Sequence, residues 1–278
     1  MTTTFTNAPN QSVDVNGTKF VFREIGRKGG IPVIFLHHLT AVLEDWDPRV
    51  VDGLAAQHHV IVFDNRGVGG SGGSTPNTVE EMARDAAAFM AALGFSKVDL
   101  LGFSLGGFVS QSLAQQQPDL ARKIILAGTG PAGGEGIASV GAILQDAFAK
   151  AGATNKHPKH FLFFTQTTNG QAAADAFLQR LKERTKDVDA AVSNETVQAQ
   201  LTAIHAWGQD DATPLASIQQ PVLVANGDND VMVPSINSFA LARRLPNAQL
   251  SIFPDAGHGG IFQYRETFVQ QALTFLQH

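Results

Sequence analysis

The chain has no cysteine, one tyrosine and two tryptophans among 278 residues. Without cysteine there is no disulfide scaffold, no thiol nucleophile and no thiolate-bound metal. Charge is sparse as well: Asp, Glu, Lys and Arg make up 16% of the chain, against about 25% in an average soluble domain. No block of like charges occurs and the net charge is −5, so the electrostatic footprint of a nucleic-acid binder is missing. No apolar run approaches the roughly 20 residues a membrane helix needs; the longest, such as Ile31 to Leu36, are strand-sized. Residues Met1 to Asn10 are threonine-rich, without positive charge or an apolar stretch, so neither a secretory signal nor a transit peptide is expected. These absences lead to the expectation of a cytoplasmic protein with neither nucleic acid nor membrane as a partner.

What is present is apolar. AVILMFWYC residues reach 44%, with 19 phenylalanines, enough to build a core without staples. Strand-sized runs recur at Lys19–Glu24, Ile31–His37, His59–Asp64, Lys97–Phe103, Lys123–Ala127, Pro221–Asn226 and Gln249–Pro254. From Ile31 on, most are continuously apolar rather than alternating, as parallel strands covered on both faces read. Between them lie helical patterns, the clearest from Thr78 to Leu93: Thr78 and Glu81 form a capping box and Gly94 follows the last turn. Further helices are expected after Leu105, Ser235 and Arg265. Residues 133–214 contain no strand, only Ala/Gln-rich helical stretches broken at Gly152, Pro158, Gly170 and near Ser193. The expected organisation is therefore an α/β core formed by residues 1–132 and 215–278, with a helical cap over 133–214 inserted between two strands.

One motif points to chemistry. Val98-Asp-Leu-Leu-Gly-Phe-Ser104-Leu-Gly-Gly107 runs a strand into G-x-S-x-G and then a helix. The turn isolates Ser104 in a strained backbone conformation, and Gly102 and Gly106 fall where a β-carbon would collide as helix and strand cross. A serine hydroxyl is a weak nucleophile at neutral pH, so a base and a group to orient it are required. Of nine histidines, His258 is the best base: it follows a strand, lies in the glycine-flanked loop Asp255-Ala-Gly-His258-Gly-Gly260 and precedes the last helix. The strand ending at Asn226 leads into Gly227-Asp-Asn-Asp230-Val-Met-Val-Pro234, which offers Asp228 and Asp230 as the acid. Both stand at the carboxyl edge of a parallel sheet, where open α/β folds collect ligands. The segment Gly67-Val-Gly69-Gly-Ser-Gly72 matches the dinucleotide fingerprint, but the next helix starts only at Thr78, too late to hold a pyrophosphate on its amides. Adjacent His37 and His38 point in different directions and lack a third ligand, and His157 and His160 have no carboxylate nearby in sequence, so no metal site is expected.

Together these features resemble the α/β-hydrolase family over nearly the whole chain. The elbow at Ser104, the chain order Ser, Asp, His, the segment Asp64-Asn-Arg-Gly67-Val-Gly69-Gly-Ser71 and the Asp255–His258 loop all match its pattern. The resemblance implies a mostly parallel, doubly wound eight-stranded sheet with a helical cap. It favours Asp230 over Asp228, since Gly227, Asp230 and Pro234 align with a G-x-x-D-x-x-x-P acid loop. It also implies an oxyanion hole from the amides of Leu105 and Leu39. The family commonly has His-Gly in the loop that here reads His37-His38-Leu39-Thr40, so His38 departs from the pattern. With His38, the residues Trp46, Phe103 and Trp207 are candidates for the substrate wall. The implied activity is a serine esterase acting on a small apolar ester, lactone or thioester, with no cofactor. Look-alikes with the same triad act as cofactor-free haloperoxidases, and a catalytically silent binding module of the same fold is the third possibility. No motif bears on oligomeric state.

Overall fold

The computed structural model describes residues 3–211 and 214–277. The first two residues of the N-terminal stretch and two residues of the expected cap segment lie outside them. Eight strands form one sheet: β1 (Gln11–Val15), β2 (Thr18–Ile25), β3 (Val33–Leu36), β4 (Val60–Phe63), β5 (Val98–Phe103), β6 (Ala121–Ala127), β7 (Val222–Gly227) and β8 (Ala248–Phe253). Their spatial order is β1-β2-β4-β3-β5-β6-β7-β8. β1 and β2 pair antiparallel, β2 runs antiparallel to β4, and every remaining pair is parallel. The sheet is thus the mostly parallel eight-stranded one that was expected. All residues of β3, β4 and β5 are buried, because helices cover both faces. β1 was not among the expected strands. Its first four residues alternate between half-buried and exposed and Val15 is buried, and it turns into β2 through Asn16-Gly17, both at positive φ, the dipeptide that two-residue hairpins favour.

The helices are α1 (Pro48–Ala55), α2 (Val79–Ala92), α3 (Leu105–Gln116), α4 (Val140–Thr154), α5 (Lys159–Leu162), α6 (Thr168–Leu181), α7 (Asn194–Gln209), α8 (Ile236–Arg244), α9 (Gly260–Gln263) and α10 (Arg265–Gln277). Thr78 caps α2 by accepting from the Glu81 amide at 3.3 Å. Only that half of the expected capping box forms, because the Glu81 carboxylate pairs with Arg66 at 2.5 Å instead. α2 begins at Val79, well after Gly72, as the rejection of the dinucleotide fingerprint requires. Gly69 is needed for a different reason: a β-carbon there would lie 2.4 Å from the Asp64 carboxylate.

Helices α4 to α7 separate β6 from β7 in sequence, and they differ in detail from expectation. Gly152 does not break a helix, since α4 runs through it to an Asn155 in the left-handed region. Gly170 lies within the first turn of α6, its amide bonded to the Thr167 cap at 3.0 Å. A break does fall near Ser193, which caps α7. Polar ties hold these helices to the sheet. Arg180 of α6 pairs with the fully buried Asp47 at 2.7 Å, Gln200 of α7 accepts from the Thr40 amide at 2.8 Å, and Phe163 O accepts from the Gly259 amide at 2.8 Å. Among the described residues no helix is long and apolar enough to cross a membrane.

Candidate active site

Ser104 stands alone between β5 and α3 with φ 56° and ψ −117°, a backbone conformation that costs a non-glycine residue about 1–3 kcal/mol. The surroundings over-determine it. The Ser104 amide donates to Ala127 O at 2.9 Å, and its carbonyl accepts from Thr129 Oγ1 at 2.8 Å. No side chain fits at the two flanking glycines: a β-carbon at Gly102 would sit 2.3 Å from Gly106 O, and one at Gly106 would sit 2.0 Å from Leu36 O. The strained turn is thus held by β3, β5 and β6 together. It places Ser104 at the N-terminus of α3, where the amides of Leu105 and Gly106 have no intrahelical acceptor and the helix dipole favours negative charge.

His258 lies across the same edge of the sheet, and its Nδ1 is 2.7 Å from Asp230 Oδ2. A carboxylate accepts only, so Nδ1 donates the proton and neutral His258 carries its lone pair on Nε2. That Nε2 is buried with no hydrogen-bond partner among the described residues. Asp230 is held in turn, with Oδ1 accepting from the amides of Met232 at 2.8 Å and Val233 at 3.0 Å. It does not cap α8, which starts after Ser235. Asp228, the alternative acid, is exposed and accepts from the Ala256 amide at 3.2 Å. The His258 ring is clamped between Phe103, at a centroid distance of 4.9 Å, and Phe163, at 5.3 Å.

A cavity of about 490 Å³ opens on this edge, and Ser104, His258, His38 and Leu39 are all on its wall. The rest of the lining is largely apolar, including Val42, Leu144, Leu162, Phe163, Val197 and Met232. One ion pair interrupts it: Lys159 of α5 binds Asp45. Burial alone would raise the Asp45 carboxyl, but the Lys159 ammonium and the hydrogen bonds from Lys159 and the Val42 amide act together against it and hold it down to about 2. His38 donates from Nδ1 to its neighbour's carbonyl, Leu39 O, at 2.7 Å. Burial, helped by Lys159, pushes its imidazole down to about 3, so the ring is neutral at physiological pH.

The other candidate wall residues lie elsewhere. Trp46 is 1% exposed and is absent from the cavity lining. Its indole N–H donates to His37 Nδ1 at 2.8 Å, which draws the ring into the core. Phe103 is fully buried behind the site, edge-on to His38 at 5.3 Å. Trp207 stacks on Phe108 at 5.3 Å and donates to Gly130 O at 3.4 Å, packing α7 against α3. Of the four, His38 alone reaches the cavity. His160 is buried and bonds Asp175, 15 residues further along the chain, at 2.9 Å. Lys159 and Asp45 escaped notice in the sequence. The ion pair joins residues 114 apart, and no local pattern marks such a contact.

Comparison with known proteins bears on this geometry. A family model described as alpha/beta hydrolase fold matches residues 31–263. The solved structure of an alpha/beta hydrolase fold protein from Chitinophaga pinensis superposes with a TM-score of 0.92 at 42% identity, covering 99% of both chains. A non-heme haloperoxidase of Rhodococcus erythropolis is 27% identical over 94% of this chain and 97% of its own. A poly(3-hydroxyalkanoate) depolymerase of Ectopseudomonas oleovorans is 29% identical over 88% of this chain and 84% of its own.

Proposed function

Because the chain belongs to the α/β-hydrolase fold family, we propose that it is a serine hydrolase of small, largely apolar carboxylic esters or lactones, working through an acyl-enzyme on Ser104. The observation that carries this reading is the buried His258–Asp230 pair at 2.7 Å, with His258 Nε2 unpartnered on the wall of the cavity that Ser104 also lines. His258 Nε2 takes the Ser104 proton as Oγ attacks the carbonyl carbon. Asp230 keeps the proton on Nδ1 and stabilises the imidazolium. The amides of Leu105 and Leu39 receive the oxyanion of the tetrahedral intermediate. The intermediate collapses, breaking the bond to the leaving oxygen, which takes its proton from Nε2. Water, deprotonated by the same nitrogen, then releases the acid and restores Ser104. Residues 133–214 serve as the cap in this account, and the apolar lining they share with the core suits an acyl chain better than a charged group.

The test is a screen of ester chain lengths and lactones with Ser104→Ala run beside the wild-type chain. Turnover of at least one apolar ester that Ser104→Ala abolishes is the expected result; an equally active variant would overturn the assignment. The full-length likeness to a non-heme haloperoxidase favours one second reading, perhydrolysis. There hydrogen peroxide replaces water on the acyl-enzyme and gives a peracid. Bromination assayed with acetate and peroxide beside plain hydrolysis ranks the two.

A further inference from the structure

Buried side-chain polar atoms are almost always hydrogen-bonded, and an exception on the wall of a cavity is placed to take a partner from what the cavity binds. Among the described residues, two unpartnered atoms of this kind belong to residues on the wall of the Ser104 cavity: His258 Nε2 and His38 Nε2. The first is absorbed by the proposed chemistry, and the second has no role there. His38 is 4% exposed and its ring is fixed on both sides, 5.3 Å from Phe103 and 5.3 Å from Phe163. These are the two rings that also clamp His258, so the two imidazoles flank one reaction space. The bond from His38 Nδ1 to Leu39 O decides the tautomer. A carbonyl accepts only, so the proton is on Nδ1 and Nε2 presents a lone pair. The positive neighbour Lys159 is occupied by Asp45, and neither supplies a donor to Nε2.

We propose that His38 Nε2 is a specificity-determining acceptor, selecting esters or lactones that carry a neutral hydroxyl close to the reacting carbonyl. This rests on the hydrolase reading and sharpens its substrate class. A plain alkyl ester leaves the lone pair unpaired in a dry wall, whereas a hydroxylated one satisfies it, and sites built to bond a hydroxyl discriminate strongly against the analogue lacking it. An anionic group is disfavoured at the same point, because it meets a lone pair instead of a donor.

Two matched pairs test this in steady-state kinetics of the wild-type chain. Para-nitrophenyl butyrate against para-nitrophenyl β-hydroxybutyrate puts the hydroxyl on the acyl side; ethyl acetate against ethylene glycol monoacetate puts it on the alcohol side. The hydroxylated member of at least one pair is expected to win in kcat/KM by on the order of tenfold or more, largely through KM. His38→Phe should bring that ratio close to one, and His38→Gln, which keeps an acceptor at the same reach, should retain part of it. His38→Leu supplies a second acceptor-free variant should the Phe variant not fold. A ratio near one in both pairs for the wild-type chain, or one that neither acceptor-free variant moves, overturns the proposal while leaving the hydrolase reading intact. A wild-type chain that turns over none of the four esters overturns the proposal, and the hydrolase reading falls with it only if the screen of chain lengths and lactones is blank as well.

Discussion

Two loops bring an imidazole to one cavity, and they prepare it differently. The loop after β8 delivers His258, whose Nδ1 meets the Asp230 carboxylate at 2.7 Å. The loop after β3 delivers His38, whose Nδ1 meets the Leu39 carbonyl at the same 2.7 Å. Both rings are buried, both touch Phe103 and Phe163, and both leave Nε2 unpaired. A carboxylate partner brings a full negative charge to the cation that a base becomes on taking a proton; at His38 the weaker support of the Leu39 carbonyl is outweighed by burial and Lys159. Burial alone therefore leaves the role of a histidine open, and the group on its other nitrogen decides between base and acceptor.

The sharpest break in this comparison comes from the proposed nucleophile and the proposed base. Ser104→Ala and His258→Ala should each lower kcat by about 10⁴ to 10⁶ fold, with near-wild-type circular dichroism showing that the fold survives. Asp230→Asn should cost less, about 10³ to 10⁴ fold, because the amide cannot hold the imidazolium. If kinetics of this variant match those of the wild-type chain, the two imidazoles do not differ as described.

Stability against pH separates them in a milder way. His38 titrates near 3 in the folded chain and near about 6.5 when unfolded. Between those values the unfolded chain binds the extra proton, so His38 makes stability fall as pH drops from about 6.5 toward 3. Thermal melts from pH 7 to pH 4 should therefore decline less steeply for His38→Phe than for the wild-type chain. Parallel slopes would mean that His38 is not held neutral.

The smallest effect is expected outside the cavity wall, at Asp189. Burial, then the Asp64 and Glu44 carboxylates, push its carboxyl up to about 7. Folding takes up a proton here, so this residue makes stability fall as pH rises from about 4 through 7. Asp189→Asn should melt at a higher temperature than the wild-type chain at pH 8 and show little difference at pH 5. An equal difference at both pH values would contradict the raised carboxyl.

The strands from β3 on were legible because most of them carry a continuous apolar run, and the elbow was legible because its glycines sit at fixed offsets from Ser104. Asp230 and His258 could be reached through their order along the chain and the loops that follow β7 and β8. β1 escaped because its face is half polar, although Asn16-Gly17 marks the hairpin. The wall of the cavity was far less legible. Trp46 and Trp207 have the size of wall residues, yet each indole N–H finds an acceptor inward, at His37 and Gly130. Lys159 and Asp45 meet only through folding, across 114 residues of chain. Chemistry set by short motifs can be read along a sequence, whereas a pocket assembled from distant helices cannot.

Activation of Ser104 as a nucleophile by His258, as proposed, is read out by intact-mass spectrometry after brief exposure to a fluorophosphonate. One adduct per chain, mapped to Ser104, is expected for the wild-type protein, with no adduct on Ser104→Ala and labelling slowed by orders of magnitude on His258→Ala. A folded wild-type chain that stays unlabelled, or an adduct that persists in Ser104→Ala, would contradict it.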